Sequence, residues 1–276
     1  MVKKRSSVGY NILRPFVQVY FKLKYRPTIY GKENIPKSGG VVVCGNHRHT
    51  HDQYNVMILT KRTIHYMAKD EYFKGKFAWF YKMAGCIPVD RSIHDENAKS
   101  EAKDVLNSGG VLGIFPEGTR NEVTCKEDKL NIMYEILKDD MSKEELLNNI
   151  KYKSIRYTQV DFLIELEQKK KITKKELKEF ILDPDNNLKE LLKNKIVTKK
   201  EYEDSLMLPF KFGAVSLAQK TNSLILPFAS TGLYIGKKGN LITKIGEPFS
   251  VKDMDLEEAN KLLRKKILQL MQESEK

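Results

Sequence analysis

Short apolar runs alternate with amphipathic stretches along most of the chain, and polar clusters follow the runs. A β-branched run at 41–44 predicts a buried strand, and apolar runs at 111–115 and 224–228 predict two more. The amphipathic stretch at 96–106 predicts a helix that ends at a Ser-Gly-Gly turn. Strand, polar loop and helix in this order are typical of an α/β domain with its site at the carboxyl ends of the strands.

The remaining patterns complete a central mixed sheet flanked by helices. The run 86–89 predicts a strand that ends at Asp90-Arg91, next to the strand at 111–115. Residues 213–219 and 256–272 have helical periodicity, and 234–246 reads as a hairpin with its turn at 237–240. We therefore expect three polar clusters at the ends of three core strands.

Residues 121–207 have a different character. They contain no glycine, lack strand patterns and are rich in Lys, Glu, Leu and Asn. Leu163, Leu166 and the tetrapeptide Thr173–Glu176 recur 25 positions later as Leu188, Leu191 and Thr198–Glu201, and Ser142–Glu145 is a weaker copy. Each Thr-x-x-Glu predicts a capping box at a helix start. We expect an all-α insertion at 121–207, an α/β domain made of 31–120 and 208–276, and an N-terminal helical segment at 1–30.

The charge distribution indicates anionic partners for the α/β part of the chain. The formal net charge is +13, but residues 121–207 hold 18 basic and 19 acidic residues, so the positive excess lies elsewhere. A basic surface suits nucleic acid, anionic lipid or an acidic protein, and charge alone does not choose among them. The three cysteines are odd in number and show no C-x-x-C spacing, which favours a reducing compartment.

The N-terminal segment carries seven Lys or Arg and no acidic residue over positions 1–30, interleaved with aromatic and aliphatic residues. This pattern suits an interfacial membrane helix, and it equally suits a helix packed on its own domain. No run of about 20 apolar residues, the length that spans a bilayer, occurs in the sequence.

The densest polar cluster is His47-Arg48-His49-Thr50-His51-Asp52, directly after the strand at 41–44. A histidine in this position can face a cleft, and an aspartate five residues later can bond its second ring nitrogen. That bond fixes the tautomer and stabilises the imidazolium, so the histidine can take a proton from a substrate hydroxyl. A rival interpretation is a metal-dependent hydrolase that uses the H-x-H-x-H-D cluster, although zinc needs further ligands and only His65 and His94 lie downstream.

A second cluster, Pro116-Glu117-Gly118-Thr119-Arg120, follows the strand at 111–115. Its glycine permits a close backbone approach, and a guanidinium can bind phosphate in bidentate fashion. With Arg91 at the end of another strand, the cluster indicates a phosphate-bearing substrate. An ordinary surface turn with ion pairs remains the alternative.

In order and spacing, these motifs resemble those of the glycerolipid acyltransferases, and within them the 1-acyl-glycerol-3-phosphate acyltransferases with the HxxxxD motif. The resemblance covers roughly residues 10–120 and 208–270. Two departures are visible: His49 stands where the family usually has Ser, and 121–207 replaces a short link. The matching segments are Asn46-His47-x4-Asp52, Gly85-x-Ile87-x-Val89-x-Arg91, Phe115–Arg120, Phe210–Ala214 and Leu226-Pro227.

The resemblance implies a phospholipid-biosynthetic O-acyltransferase that moves a fatty acyl group from an acyl carrier protein or coenzyme A thioester to lysophosphatidate, giving phosphatidate. It implies His47 as general base, Asp52 as its orienting partner, and an acceptor site shaped by Arg91, Glu117, Gly118, Thr119 and Arg120. It implies neither metal nor cofactor and no nucleic acid. The expected location is peripheral, on the cytoplasmic face of the cell membrane and against an anionic surface. Another lysophospholipid or glycerol 3-phosphate as acceptor, and a non-enzymatic lipid- or nucleic-acid-binding protein, remain alternatives.

Overall fold

The computed structural model describes residues 8–90, 92–93, 95–123, 125–234 and 238–273. Within these ranges the chain forms twelve α-helices and seven strands. The helices are α1 Val8–Tyr25, α2 Tyr54–Met57, α3 Ala78–Met83, α4 Glu96–Asn107, α5 Glu127–Leu137, α6 Lys143–Tyr152, α7 Tyr157–Gln168, α8 Lys174–Leu182, α9 Pro184–Lys193, α10 Lys199–Leu206, α11 Gly213–Thr221 and α12 Leu256–Glu273. The strands are β1 Thr28–Tyr30, β2 Val41–Gly45, β3 Ile64–Lys69, β4 Ile87–Val89, β5 Val111–Ile114, β6 Leu224–Thr231 and β7 Ile242–Ile245.

The described strands form one mixed sheet in the order β1-β7-β6-β2-β5-β3-β4. The pairs from β6 to β4 are parallel, β7 runs antiparallel to β6, and β1 is parallel to β7. An α/β architecture with a central mixed sheet is therefore confirmed. Each connection between consecutive strands from β2 to β6 contains at least one helix, as parallel pairing requires.

Two details of the sequence-based topology are wrong. The strand before Arg91 is the edge strand β4, and it does not neighbour β5, because β3 lies between them. The hairpin exists, but its first arm is the end of β6 and not a strand starting at Tyr234, since 228–231 pair with 242–245. Part of the predicted turn, including Lys237, lies outside the described residues.

The central strand β2 is buried along its whole length, because it is flanked by β5 and β6 and covered on both faces. Val42 and Cys44 pack on one face with α4, α11 and α12. Val41 and Val43 pack on the other with residues of α1 and α2. This burial on both faces explains why the sequence shows a continuous β-branched run instead of an alternating pattern.

Helix α1 packs on its own domain and also presents an apolar face. Tyr10, Phe21 and Tyr25 are buried against the sheet and α2. A row of apolar side chains on the other side is exposed: Val8, Ile12, Phe16, Val19, Tyr20 and Leu23. The N-terminal segment is also less uniformly helical than expected, because its residues 28–30 form β1 and join the sheet. Among the described residues, none of the helices has the length and hydropathy needed to cross a membrane.

Every strand-forming or helical element that the structure describes within 121–207 is an α-helix, and turns join these helices. Thr173 and Thr198 each form the predicted capping box with the glutamate three residues later, and Ser142 accepts a hydrogen bond from the backbone of Glu145. Leu163, Leu166, Leu188 and Leu191 are all buried. Helices α5 to α10 pack mainly on one another.

Three helices of the insertion end in the same kind of turn. Ser154, Lys170 and Lys195 each follow a helix C-cap with a left-handed φ of 61°, 56° and 57°. In each case the next residue donates its N–H to a carbonyl near the end of the helix, at Ile150, Leu166 and Leu191 respectively. These are Schellman turns. In the two copies of the sequence repeat, α7 and α9 end in the same turn, and α8 and α10 begin with the same capping box.

Candidate active site

The register of the sheet brings the two main polar clusters to one edge. Cys44 pairs with Ile114, and Gly45 pairs with Phe228. The loop after β2 and the loop after β5 therefore leave the sheet side by side. The backbone N–H of His47 donates to Glu117 Oε1 over 2.7 Å, and the N–H of Asn121 donates to the carbonyl of His47 over the same distance.

The imidazole of His47 is held by a carboxylate and by an aromatic ring. Its Nδ1 lies 3.0 Å from Asp52 Oδ2. The ring stacks on Phe115 with centroids 4.0 Å apart and planes 11° apart, and 17% of the side chain is exposed. Because the carboxylate accepts at Nδ1, we assign the proton to Nδ1, and Nε2 is then the basic nitrogen.

Asp52 is fully buried and accepts four hydrogen bonds. Its Oδ2 accepts from His47 Nδ1 and from the backbone N–H groups of Arg48 (2.6 Å) and His49 (2.7 Å). Its Oδ1 accepts from the hydroxyl of Tyr234 over 2.6 Å. Burial alone would raise the pKa of Asp52, but the bond and charge of His47 and the nearby charge of Arg48 outweigh it, so the pKa lies below its ordinary value. The group is an anion poised to stabilise an imidazolium.

The other two histidines of the cluster have protein partners. His51 Nδ1 lies 2.7 Å from the hydroxyl of Tyr25, and His49 Nδ1 accepts from the backbone N–H of His51. Burial lowers the pKa of His49, and burial with the nearby His49 lowers that of His51 to about 4, so both rings are neutral at pH 7. Over the part of the chain that the structure describes, no three His, Cys, Asp or Glu side chains form a group that could hold a metal ion.

Glu117 lies in the interior, where it joins two backbone segments. Its Oε1 accepts from His47 N, and its Oε2 accepts from Leu208 N over 2.9 Å, where the chain returns from the insertion. Burial raises the pKa of Glu117 to about 7. The structure thus gives this side chain a bracing role beside the candidate base.

Of the remaining residues predicted for the acceptor site, the structure describes Gly118, Thr119 and Arg120. Gly118 has a positive φ of 72° and packs against the side chain of Lys211, while Thr119 is exposed. Arg120 is half-buried, and its Nε pairs with Glu122 over 3.1 Å. Arg91 lies outside the described residues.

A cavity of about 190 Å³ borders the loop after β2 and the helices of the insertion. Arg48, His49 and Tyr234 line it from the α/β domain, together with Arg120. The aromatic ring of His49 stacks on Tyr234, with centroids 4.3 Å apart. From the insertion side, the cavity is lined by Lys151 and Ser154.

Sequence reasoning singled out neither Tyr234 nor the pairing of Asn46. Tyr234 is brought to Asp52 from 182 positions away, which no local pattern reports. Asn46 is buried, donates through Nδ2 to the carbonyl of Ser230 over 2.9 Å, and accepts from the N–H of Ser230 at Oδ1 over 2.8 Å. The available signal for Asn46 was an amide side chain directly after a predicted core strand, where a buried polar group needs hydrogen-bond partners.

Comparisons with known proteins identify relatives of this chain. The Acyltransferase family profile matches residues 26–231. A 1-acyl-sn-glycerol-3-phosphate acyltransferase of Bacillus subtilis is 33% identical over 106 residues, which is 38% of this chain and 53% of the relative. An enzyme of the same name from Borreliella burgdorferi is 33% identical over 96 residues, 34% of this chain and 38% of the relative. The matches thus span about half the length of the first relative and less of the second.

The fold has a solved counterpart. The crystal structure of the 1-acyl-sn-glycerophosphate (LPA) acyltransferase PlsC from Thermotoga maritima superimposes with a TM-score of 0.53 and 17% identity, over 96% of this chain and 79% of that one. At this identity the likeness supports the fold alone. The family profile covers well over half of the chain, through both polar clusters and β6. The chain therefore belongs to the Acyltransferase family.

Proposed function

We propose that the protein transfers a fatty acyl group from a thioester donor to the free hydroxyl of a 1-acyl-glycerol-3-phosphate, giving phosphatidate, with His47 as general base. The observation that carries the proposal is the His47–Asp52 pair, in which a buried, anionic carboxylate holds Nδ1 and leaves Nε2 as the basic nitrogen. The names of the two curated bacterial relatives support the same reaction class and acceptor.

The reaction proceeds in balanced steps. His47 Nε2 removes the proton of the acceptor hydroxyl as its oxygen attacks the thioester carbonyl carbon, and Asp52 stabilises the resulting imidazolium. The tetrahedral intermediate collapses with cleavage of the C–S bond. The leaving thiolate takes the proton back from the imidazolium, so the new ester and a free thiol are formed and the base is regenerated.

The acceptor side of the proposal rests on the loop after β5. Arg120 is half-buried beside the cluster and lines the cavity, and the left-handed turn at Gly118 directs the loop past the side chain of Lys211. We assign the acceptor phosphate to this neighbourhood, with Arg120, Thr119 and, by the family resemblance, Arg91 as its ligands. Glu117 is expected to shape the acceptor site by supporting this loop from the interior, through its bonds to the backbone of His47 and Leu208.

The membrane side of the proposal rests on α1. Its exposed apolar row, with Phe16 71% and Leu23 63% exposed, lies beside basic residues such as Lys22 and Lys24. An apolar stripe flanked by lysines suits peripheral attachment to an anionic surface, which we place on the cytoplasmic face of the cell membrane. Since Tyr10, Phe21 and Tyr25 hold α1 on the domain, a test must spare them. The triple change Phe16→Ser, Val19→Ser, Leu23→Ser should weaken binding to anionic vesicles without loss of fold, and unchanged binding would assign docking to another surface.

The central experiment is a transfer assay with purified protein. Coenzyme A and acyl carrier protein thioesters are tested against lysophosphatidate, other lysophospholipids and glycerol 3-phosphate, and release of free thiol is measured with and without acceptor. We expect acceptor-dependent release with lysophosphatidate. His47→Ala should abolish it, as should His47→Gln, whose amide can still donate to Asp52 but cannot act as a base. Near-normal turnover in folded His47→Ala protein would refute the mechanism.

A further inference from the structure

Arg48 carries a buried charge beside the candidate active site, and it makes no direct ion pair with a described residue. The residue is only 4% exposed, and its Nε and Nη2 have no hydrogen-bond partner among the described residues. Its Nη1 donates to the carbonyl of Gly232 over 3.0 Å and reaches Ser154 Oγ at 3.4 Å. Within the described part of the chain, no carboxylate lies at ion-pair distance from this guanidinium. The charge of Asp52 acts on this cation only through space, and the guanidinium carbon lies 5.9 Å from the centroid of the Tyr234 ring, so the desolvation of Arg48 is only partly offset.

The cavity beside Arg48 has the composition of an anion site. Its charged lining consists of Arg48, Arg120, Lys151 and Glu122, which leaves a net positive charge. Glu122 already pairs with Arg120, so an entering anion competes with it for one cation of the three. The volume of about 190 Å³ exceeds that of several water molecules and admits a tetrahedral anion.

Two of the lining groups come from the insertion. Lys151 is exposed in the last turn of α6, and Ser154 follows it in the left-handed turn that ends this helix. The Schellman geometry therefore places the serine hydroxyl next to the guanidinium of Arg48. A flexible linker at 121–207 could not hold these groups in such a position.

We propose that this cavity is a phosphate-monoester site shared between the α/β domain and the insertion, with Arg48 and Lys151 as its cations and Ser154 as a hydrogen-bond donor. The proposal deepens the proposed function and rests on it where the phosphate is that of the acceptor. The same chemistry is offered by the phosphate groups of the acyl donor and by inorganic phosphate, and the experiment separates these sources.

The first arm measures binding without any acyl transfer. Inorganic phosphate and glycerol 3-phosphate are titrated against the full chain by calorimetry. Lys151→Met should weaken binding about fivefold, the effect of losing one exposed charge contact. Lys153→Met is the matched control, because Lys153 is exposed two residues further on and does not line the cavity. Equal affinity of the two variants and of the unaltered protein would overturn the proposal, whatever the outcome of the transfer assay.

The second arm tests Arg48 through stability. If Arg48 binds an anion in the cavity, Arg48→Gln should keep or raise the unfolding temperature in phosphate-free buffer. The variant should also lose the stabilisation that added phosphate gives the unaltered protein. If Arg48 is purely structural, the change lowers the unfolding temperature equally with and without phosphate, which contradicts the proposal. Should Arg48→Gln fail to fold, Lys151→Met and Ser154→Ala decide the question by the binding arm.

The third arm identifies the source of the phosphate by kinetics. An acceptor site predicts that Lys151→Met raises KM for lysophosphatidate severalfold with little change in kcat or in donor KM. A rise in donor KM alone assigns the cavity to the donor's phosphates. Lost phosphate binding with both KM values unchanged assigns it to free phosphate. These three assignments apply only when Lys151→Met weakens binding in the first arm, because unchanged binding removes the anion site whatever the KM values are.

Discussion

Asp52→Asn separates the charge of the aspartate from its orienting role. Three donors converge on Oδ2, namely Nδ1 of His47 and the backbone N–H groups of Arg48 and His49. An amide at position 52 must place its oxygen there, because its NH₂ group would face those three donors. We therefore expect His47 to keep its orientation and its Nδ1 proton in this variant.

The amide nitrogen then takes the place of Oδ1, 2.6 Å from the hydroxyl of Tyr234. This hydroxyl donates to Asp52 in the unaltered protein, but it can turn its proton toward Ser230 Oγ, which lies 3.2 Å away, and accept from the amide. Each of these buried polar groups thus keeps at least one partner, and only the second N–H of the new amide gains none, so the unfolding temperature should fall only slightly.

What the variant loses is the negative charge beside the imidazolium. For unit charges about 4 Å apart at an effective dielectric constant of about 20, that interaction is worth about 4 kcal/mol. At 1.36 kcal/mol for each factor of ten, kcat should fall about a thousandfold. The assay is acceptor-dependent thiol release at saturating substrates, with circular dichroism and thermal unfolding as controls for the fold.

Two outcomes would refute this reasoning. A folded Asp52→Asn protein within tenfold of normal kcat would mean that no imidazolium develops beside position 52. Activity as low as that of His47→Ala would mean that the amide has turned and that His47 carries its proton on the wrong nitrogen.

Three further predictions concern other parts of the molecule. Because burial raises the pKa of Glu117 to about 7, above the ordinary 4.5, the native state holds a proton that the unfolded chain releases, and the unfolding free energy falls as pH rises through that window. Between pH 5 and pH 8, denaturant unfolding should show the unfolding free energy of Glu117→Gln rising by about 2.5 kcal/mol relative to that of the unaltered protein, and a pH-independent difference would contradict this. Transfer should survive exhaustive chelation, since the three clustered histidines are engaged by protein groups, and loss that zinc restores would favour the hydrolase alternative. Lys195→Gly should raise the unfolding free energy by about 0.5–1 kcal/mol, because glycine adopts the left-handed conformation of this position without strain. Lys193→Gly, at an exposed position within α9, is the control and should lower the unfolding free energy. A lower unfolding free energy for Lys195→Gly would contradict the Schellman assignment.

The insertion stays a proposed module, and its replacement tests that division. Exchanging 121–207 for a short Gly/Ser link should leave some transfer activity, because His47 and Asp52 bond to each other within the α/β part. It should raise KM for lysophosphatidate if Lys151 contributes to the site. A well-folded deletion that is wholly inactive with soluble short-chain substrates would make the insertion part of the catalytic site.

The sequence predicted what local patterns can report. The strand β2 and the spacing of His47 and Asp52 lie within a dozen residues, so periodicity and side-chain chemistry were sufficient for an expectation that the structure matches in geometry. The two Thr-x-x-Glu capping boxes are equally local and are confirmed. The roles of His47 and Asp52 in chemistry stay predictions until activity is measured.

The features that sequence reasoning missed depend on distant parts of the chain. β3 reads Ile-His-Tyr-Met-Ala-Lys, which lacks the β-branched run of a buried strand, so its position between β4 and β5 was not expected. The end of β6 is Ser230-Thr231, polar residues that look like the start of a loop although both are buried. The contact of Tyr234 with Asp52 depends on the packing of the hairpin against the loop after β2. The cavity at Arg48 depends in addition on residues of the insertion.

The paired bonds of Asn46 have a consequence for how the main chain departs from the sheet. With one acceptor and one donor on Ser230, the side-chain amide of Asn46 substitutes for a peptide unit. It continues the ladder to β6 one step after β2 has ended, so the backbone of residue 47 is released from pairing and can turn toward Glu117. Aspartate at position 46 supplies no donor, serine cannot reach both partners, and glutamine is one methylene too long. The backbone of His47 can therefore turn away from the sheet because the residue before it is an asparagine.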